Sequence, residues 1–467
     1  MIQKLIATLL LFTFTISNTF SQSPEKQFDR LLHQEYPDAA TAASAPIAVD
    51  GEIIYQKSFG KASLKLNADA TINSVFEIGS VTKQFTAVAI MMLAEQGKLN
   101  LDDNITTYFK DYPTHGHTIT IDQILSHTSG LASFTSSDEW YNNRYNEMTQ
   151  EELMTLFKKM PMLFAPGEKY HYSNTGYYLL GMLIEKVSNK SYSEFIEENI
   201  FDKAGMKNSS FMSRHKIIPN RATGHDKIKD EFVKADEMLY THAYSAGAIL
   251  STTYDLYLWN RAIRNNTLIS KESKKKAFTN YKLSNGKYAN YGYGWAVDGV
   301  NGVPSIEHNG GSFGFLSNTI YLPEEDIFVV VLSNCVCSAT DFVSTKMAAI
   351  ALNKPYPDTP SKAAKINSDF AAKFAGTYSF DDGSTRTISF ENNALYSQLG
   401  NRSKLKLFQV DKNTYQFENM FARILFKKAK NNTATILFKN RIYETIGEKV
   451  KIDSLRKQLT YTSQKKP

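Results

Sequence analysis

Cysteine is almost missing from this chain: Cys335 and Cys337 are the two in 467 residues. A disulfide framework is excluded as the source of stability, and two thiols cannot complete a zinc shell. A bond between them would close a very short loop, so two free thiols on one face of a strand end are the expectation. Close histidine pairs are scarce too. His115 and His117 form the one pair, no His-Glu-x-x-His occurs, and no glycine-rich phosphate loop precedes a helix, which excludes the familiar metal and nucleotide signatures. The chemistry is expected to need no metal or cofactor. Long apolar runs are also lacking. The run at 5–14 follows Lys4 and precedes the small residues Thr19 and Ser21; it is too short for a confident membrane span and has the layout of an export signal over 1–21. The mature protein is therefore expected to be secreted or periplasmic and not membrane-spanning. Strong net charge is absent as well, at +6. The lysine runs at 271–276 and 449–466 read as solvated surface, and no nucleic-acid partner is expected.

What is present suits a large globular chain. At 467 residues with 42% hydrophobic residues, two domains are expected. A helical piece around 27–34 is followed by a hairpin, 47–49 and 53–55, turning on Asp50-Gly51. Phe85, Val88, Ala89, Met92 and Leu93 recur at helical spacing, with Gly97 as a cap, and predict a central amphipathic helix. A short helix within 119–131 is expected to end at Gly130. The aromatic, polar stretch 133–148 reads as a surface loop overhanging a cleft, and 177–187 as a helix. Strands are expected at 291–297, 306–311, 315–322 and 328–332, then a helix at 341–352. The early hairpin and late strands would form one antiparallel sheet with a helical insertion, an α+β domain. Proline-rich 354–360 marks a linker, after which eight short strands between 376 and 446 suggest a small up-and-down barrel. The resulting division is an export signal 1–21, a domain 22–353, a linker 354–367 and a barrel 368–467.

The stretch that organises the rest is 76–85. Ser80 stands at the start of the strongest apolar helix, and Lys83 comes round to the same side one turn later. A serine hydroxyl needs a base, and an amine serves only once its pKa falls. A helix N-terminus disfavours a nearby cation and favours an oxyanion. Spacing alone is weak, since Lys also follows Ser58, Ser213, Ser284 and Ser403 by three. Tyr172-Ser173-Asn174 lies between the turn Pro166-Gly167 and a helix, so its polar groups can point into a site. His308-Asn309-Gly310-Gly311 lies in a glycine-bearing strand whose backbone can approach a ligand. The same strand contains Gly310-Gly311-Ser312-Phe313-Gly314, which matches a nucleophile elbow, but a strand rather than a helix follows it. His127, at a helix end with no partner in sequence, reads as a structural hydrogen-bonding residue.

In this order, Ser80-Val81-Thr82-Lys83, Tyr172-Ser173-Asn174 and His308-Asn309-Gly310 resemble the motif set of the serine β-lactamase and penicillin-binding protein superfamily, closest to its class C, DD-peptidase and esterase (S12-like) branch. Leu125–Leu131, Pro166-Gly167-Glu168 and Ser245-Ala246-Gly247 extend the likeness over roughly 47–352. The resemblance implies a β-lactamase/transpeptidase-like fold with an all-helical subdomain. It implies Ser80 as the acylated nucleophile, Lys83 and Tyr172 sharing acid and base work, and Asn174, His308, Gly310 and Gly311 at the substrate. The amides of Ser80 and Gly311 would form the oxyanion hole. Either Lys83 or Tyr172 could take the first proton. The implied partner is a D-amino-acid peptide, a peptidoglycan fragment, an ester or a β-lactam. Many β-lactamases carry lysine where this chain has His308; a mostly neutral imidazole pulls less on an anionic substrate, which favours a peptidase or esterase over efficient β-lactam hydrolysis. A slowly deacylating cell-wall sensor is the non-enzymatic alternative. The barrel resembles the lipocalin-like C-terminal domain of some family members.

Overall fold

Asp50 (φ +51°) and Gly51 (φ +84°) both take the positive φ of a tight hairpin turn, joining β1 (Ala43–Val49) to β2 (Glu52–Phe59). These strands add to β3 (Ala296–Val300), β4 (Val303–Ser312), β5 (Phe315–Leu322) and β6 (Ile327–Ser333) in one antiparallel sheet of order β3-β4-β5-β6-β1-β2. The first and last thirds of the family-like region therefore close on each other, with the helices between them as an insertion, as the pattern predicts. The computed structural model describes residues 23–37, 40–356, 368–380, 383–418, 420–428 and 434–450. The export segment expected at 1–21, and residues 357–367 of the expected linker, lie outside the described residues. Among the described residues no helix is long and apolar enough to cross a membrane.

The helices that position the site are α1 (Pro24–Glu35), α2 (Thr82–Glu95), α3 (Ile121–Leu125), α4 (Asp138–Asn143), α5 (Gln150–Lys159), α6 (Asn174–Ser188), α7 (Tyr240–Gly247), α8 (Thr253–Arg264) and α9 (Thr340–Ala351). Alternation along the strands sends Ile47, Val329 and Val331 to one sheet face, packed with Phe28, Leu32 and Met347 of α1 and α9. Ile306, Phe328 and Val330 go to the other, over Phe85 of α2 and Trp259 of α8. The central helix is not amphipathic as expected. Every residue from Thr82 to Leu93 is buried, the pattern of a helix surrounded by protein. Its polar side chains are satisfied internally: Gln84 accepts from Trp259 Nε1 at 3.0 Å, and Thr86 Oγ1 donates to the Ser245 carbonyl at 2.6 Å.

Three further expectations are corrected. The helix placed up to Gly130 ends at Leu125, because His127 takes a left-handed conformation (φ +58°). The strand expected at 291–297 begins only at Ala296. Before it the chain crosses α2, and a Cβ on Gly294 would stand 2.8 Å from the Lys83 carbonyl. Cys335 and Cys337 are joined in a disulfide, since the turn after β6 brings their Cα atoms to 5.1 Å, within bonding range.

The barrel follows its turn signals closely. β7 (Gly376–Phe380), β8 (Thr385–Glu391), β9 (Ala394–Leu399), β10 (Leu405–Gln409), β11 (Thr414–Phe417), β12 (Arg423–Lys428), β13 (Ala434–Asn440) and β14 (Tyr443–Lys449) pair in sequence and close β7 onto β14. Tyr378, Ile388, Leu395, Phe417, Ile424 and Phe426 fill its core.

Candidate active site

A single 3₁₀ turn, Gly79–Val81, leads into α2 and leaves Ser80 half-buried at its tip. The turn packs backbone to backbone on β4. A Cβ on Gly79 would fall 2.7 Å from Gly311 N, and one on Gly310 would fall 2.0 Å from the Ile78 carbonyl oxygen. Glycine is the one residue that permits this approach. It brings the Gly311 amide against the nucleophile turn, where it and the Ser80 amide can face one carbonyl oxygen. β3 pairs with β4 only up to Glu307, so β4 from His308 onward has no β3 neighbour on that edge.

Lys83 is fully buried. Its Nζ lies 3.1 Å from Ser80 Oγ, 2.8 Å from Asn174 Oδ1 and 2.8 Å from the Ala246 carbonyl oxygen. Burial pulls its pKa well below the ordinary lysine value, and among the described residues no carboxylate pairs with it. The hydrogen-bond inventory decides how the amine is oriented once it is deprotonated. The Ala246 carbonyl can only accept, and Asn174 presents its oxygen because its Nδ2 donates to Thr135 Oγ1 at 3.0 Å. Both N–H bonds of a neutral Lys83 are thereby committed, and the lone pair is left for the Ser80 hydroxyl proton.

Ser173 caps α6 by accepting from the Gly176 amide, which sets Tyr172 just ahead of the helix. The Lys83 Nζ lies 4.7 Å from the Tyr172 ring centroid. Burial raises the Tyr172 hydroxyl above its ordinary pKa, an effect that its hydrogen bond with Ser80 only partly offsets. A standing phenolate is thus disfavoured, and the phenol is placed to hand a proton on. His127 packs on Tyr172 with ring centroids 4.3 Å apart, and its Nδ1 accepts from the Ser173 amide at 3.1 Å. That is the structural hydrogen bond expected of it.

His308 lies beside the same cluster, with its ring centroid 6.2 Å from that of Tyr172. Its Nδ1 lies 2.6 Å from the Asn309 carbonyl and its Nε2 lies 2.7 Å from Tyr291 Oη. Since the carbonyl can only accept, Nδ1 carries the proton and Nε2 accepts from the Tyr291 hydroxyl. Burial pushes its pKa down to about 3. The imidazole is neutral at physiological pH.

Ser80, Lys83, Tyr172, Asn174, His308, Gly310 and Gly311 thus converge on one place. Ser312 does not join them as a nucleophile. It ends β4, whose partner β5 begins at Phe315 in a hairpin, and its hydroxyl donates to the buried Glu77 carboxylate, itself paired with Arg221 at 2.9 Å. The residue signals missed Ala246, Thr135 and Tyr291. Ser245-Ala246-Gly247 shows in the sequence, but the group that matters is a main-chain oxygen, and Tyr291 sits in a stretch read as strand.

Known proteins resemble this chain in sequence and in fold. A family model described as Beta-lactamase matches residues 29–354. A penicillin-binding protein of Bacillus subtilis (strain 168) is 31% identical over 384 residues, covering 77% of this chain and 84% of the relative. Among solved structures, the octameric penicillin-binding protein homologue from Pyrococcus abyssi superposes with a TM-score of 0.66 at 25% identity, covering 90% of this chain and 99% of that one. The D-amino acid amidase from Ochrobactrum anthropi SV3 shares the fold, with a TM-score of 0.62 at 22% identity over 71% of this chain and 99% of its own.

Proposed function

The chain belongs to the Beta-lactamase family, which has serine hydrolases among its members, and from that premise we propose that it is an extracytoplasmic hydrolase of D-amino-acid peptides, D-amino-acid amides or small esters, acting through an acyl-enzyme on Ser80. The observation that carries this reading is the setting of Lys83, a buried amine with two acceptors on its N–H bonds and Ser80 Oγ at 3.1 Å.

Lys83 takes the hydroxyl proton as Ser80 Oγ bonds to the substrate carbonyl carbon, and the oxyanion lies between the amides of Ser80 and Gly311. Breaking the C–N or C–O bond needs a proton on the leaving group, which Tyr172 gives and recovers from Lys83. A water then attacks the acyl ester, its proton goes back along the same groups, and Ser80 Oγ–H is restored. Asn174 serves chiefly by holding Lys83.

The neutral His308, its Nε2 occupied by Tyr291, supports substrates whose leaving side is uncharged. A D-amino-acid amide is therefore expected to be hydrolysed with a kcat/KM at least equal to that of the matching peptide ending in a free carboxylate. A preference of about tenfold or more for the carboxylate would mean that a cation meets it, against this reading.

The pH profile follows from the two shifted groups. Acylation is expected to accelerate as pH rises through the depressed pKa of Lys83, then stay level to about pH 10, because Tyr172 is held above the ordinary phenol value. A fall below about pH 9 that Tyr172→Phe abolishes would contradict it.

The deciding experiment mixes the purified protein with a chromogenic ester, a D-amino-acid amide, a D-Ala-D-Ala peptide and a chromogenic cephalosporin, following product and intact mass together. Many turnovers with a transient adduct on the peptide containing Ser80 are expected. A stable adduct without turnover would instead make the protein a slowly deacylating sensor, and efficient cephalosporin hydrolysis would make it a β-lactamase.

A further inference from the structure

Behind the active site, the barrel reaches the strand that carries His308 and Gly311. β13 and β14 are joined by a two-residue turn with Arg441 at its tip (φ +56°), and the side chain lies against β3 and β4 of the main sheet. Its Nε donates to the Gly299 carbonyl at 2.8 Å, Nη1 to Glu307 Oε1 at 2.6 Å, and Nη2 to Glu307 Oε2 at 2.8 Å and Ser305 Oγ at 3.2 Å. Asp298 stands 3.5 Å from Nη1 and also accepts from the Ile442 amide at 3.3 Å. Arg441 and Glu307 are 7% and 13% exposed, so this is a desolvated, bidentate pair rather than a surface tether. The sheet is shaped to receive the turn, since a Cβ on Gly299 would lie 2.7 Å from Ile442 Cγ2.

The position of Glu307 gives the contact its meaning. It is the last β4 residue paired with β3, and the next residue is His308. Alternation along the strand turns Glu307 to the opposite sheet face from His308. Arg441 therefore grips β4 at the boundary between the half paired on both edges and the half paired with β5 alone, which lines the site. Phe421 of the barrel lines the same cleft as Arg441 and Glu307 but packs on Tyr356 and on Phe342 of α9, with ring centroids 4.4 and 5.0 Å away.

We propose that Arg441 is a positioning residue, through which the C-terminal barrel holds the 308–312 half of β4 in register with the Ser80 turn. The kinetic part of this inference rests on the function proposed above; the structural part does not. In the full-length protein, Arg441→Gln is expected to lower kcat about 10- to 100-fold with KM within about threefold, because a misplacement near 1 Å is costly to a reacting geometry. Faster hydrogen exchange at the 308–312 amides should accompany it. Arg441→Lys keeps the charge without the fork and should recover part of the loss. Phe421→Ala removes the ring contacts with Tyr356 and Phe342 and none of the Arg441 hydrogen bonds, so it should lower Tm with a much smaller loss of kcat than Arg441→Gln.

Arg441→Gln protein that melts earlier yet keeps the original kcat and the original exchange at 308–312 would overturn the proposal, as would an equal loss of kcat in Phe421→Ala. Should Arg441→Gln not fold, Glu307→Gln breaks the pair from the other side and is read by the same two measurements. If the unmodified protein turns over none of the substrates, the function reading fails, while the exchange comparison still decides the role of Arg441.

Discussion

Turnover is expected to fall about 10⁴-fold or more in Ser80→Ala, and about 10³- to 10⁵-fold in Lys83→Met, with the double variant scarcely worse than either alone. The two groups make one bond together, so removing either removes the same step. Methionine fills the lysine stem's volume without bringing a charge into a fully buried position. Lys83→Met protein should therefore fold and bind substrate while failing to acquire an acyl adduct. Stability gives a second reading with a definite sign. Unfolded, Lys83 would titrate near the ordinary lysine value of 10.5, whereas folded it is held well below that by burial. Between those two pKa values the unfolded chain binds more protons than the folded one, so stability rises with pH across that window. The variant lacks this contribution. The unfolding free energy of the unmodified protein, minus that of Lys83→Met, should increase from neutral pH toward about pH 10. A variant that retains more than about a tenth of the acylation rate would remove Lys83 from the mechanism.

Gly310→Ala is expected to cost about 2–3 kcal/mol in stability and about 100-fold in kcat, and the neighbouring Gly311→Ala far less of either. A methyl on Gly310 would stand 2.0 Å from the Ile78 carbonyl oxygen and 2.4 Å from Ser317 Oγ. The first of these belongs to the main chain leading into the nucleophile turn and cannot step aside as a flexible side chain would. Relief comes only by parting β4 from that turn, which separates the two amides that would face the oxyanion. A methyl on Gly311 would meet nothing closer than Leu316 Cδ2 at 3.6 Å, and the substitution keeps the amide N–H. Thermal melts and steady-state kinetics on the two variants check the contrast. An unperturbed Gly310→Ala enzyme beside a crippled Gly311→Ala would reverse it.

The same contrast explains which parts of the molecule were legible in the residues. The barrel strands came through within a few residues at each end, because their boundaries are set by local turn chemistry such as Asn392 and Asn393 with positive φ and by period-two burial. The stretch 291–297 misled, because alternating tyrosines and glycines look like a strand while Gly294 is needed to pass over α2. The central helix looked one-sided, since Thr82, Gln84 and Thr86 are polar, yet each finds its partner in a distant element. A polar residue in a buried helix cannot be told from a solvent-facing one until those partners are known.

Sequence by itself determined the local chemistry: a hydroxyl and an amine one helical turn apart at a helix start, a phenol ahead of a capped helix, and glycines in a strand that must approach another backbone. Tertiary structure decided what those groups are. Burial pulls the Lys83 pKa down, while Asn174, 91 residues away, and Ala246, 163 residues away, bring the acceptors that fix how its amine is turned. Glu307 meets Arg441 across 134 residues. Protonation state and alignment depend on desolvation and on which lone pairs arrive from far along the chain, and only the packed fold sets either.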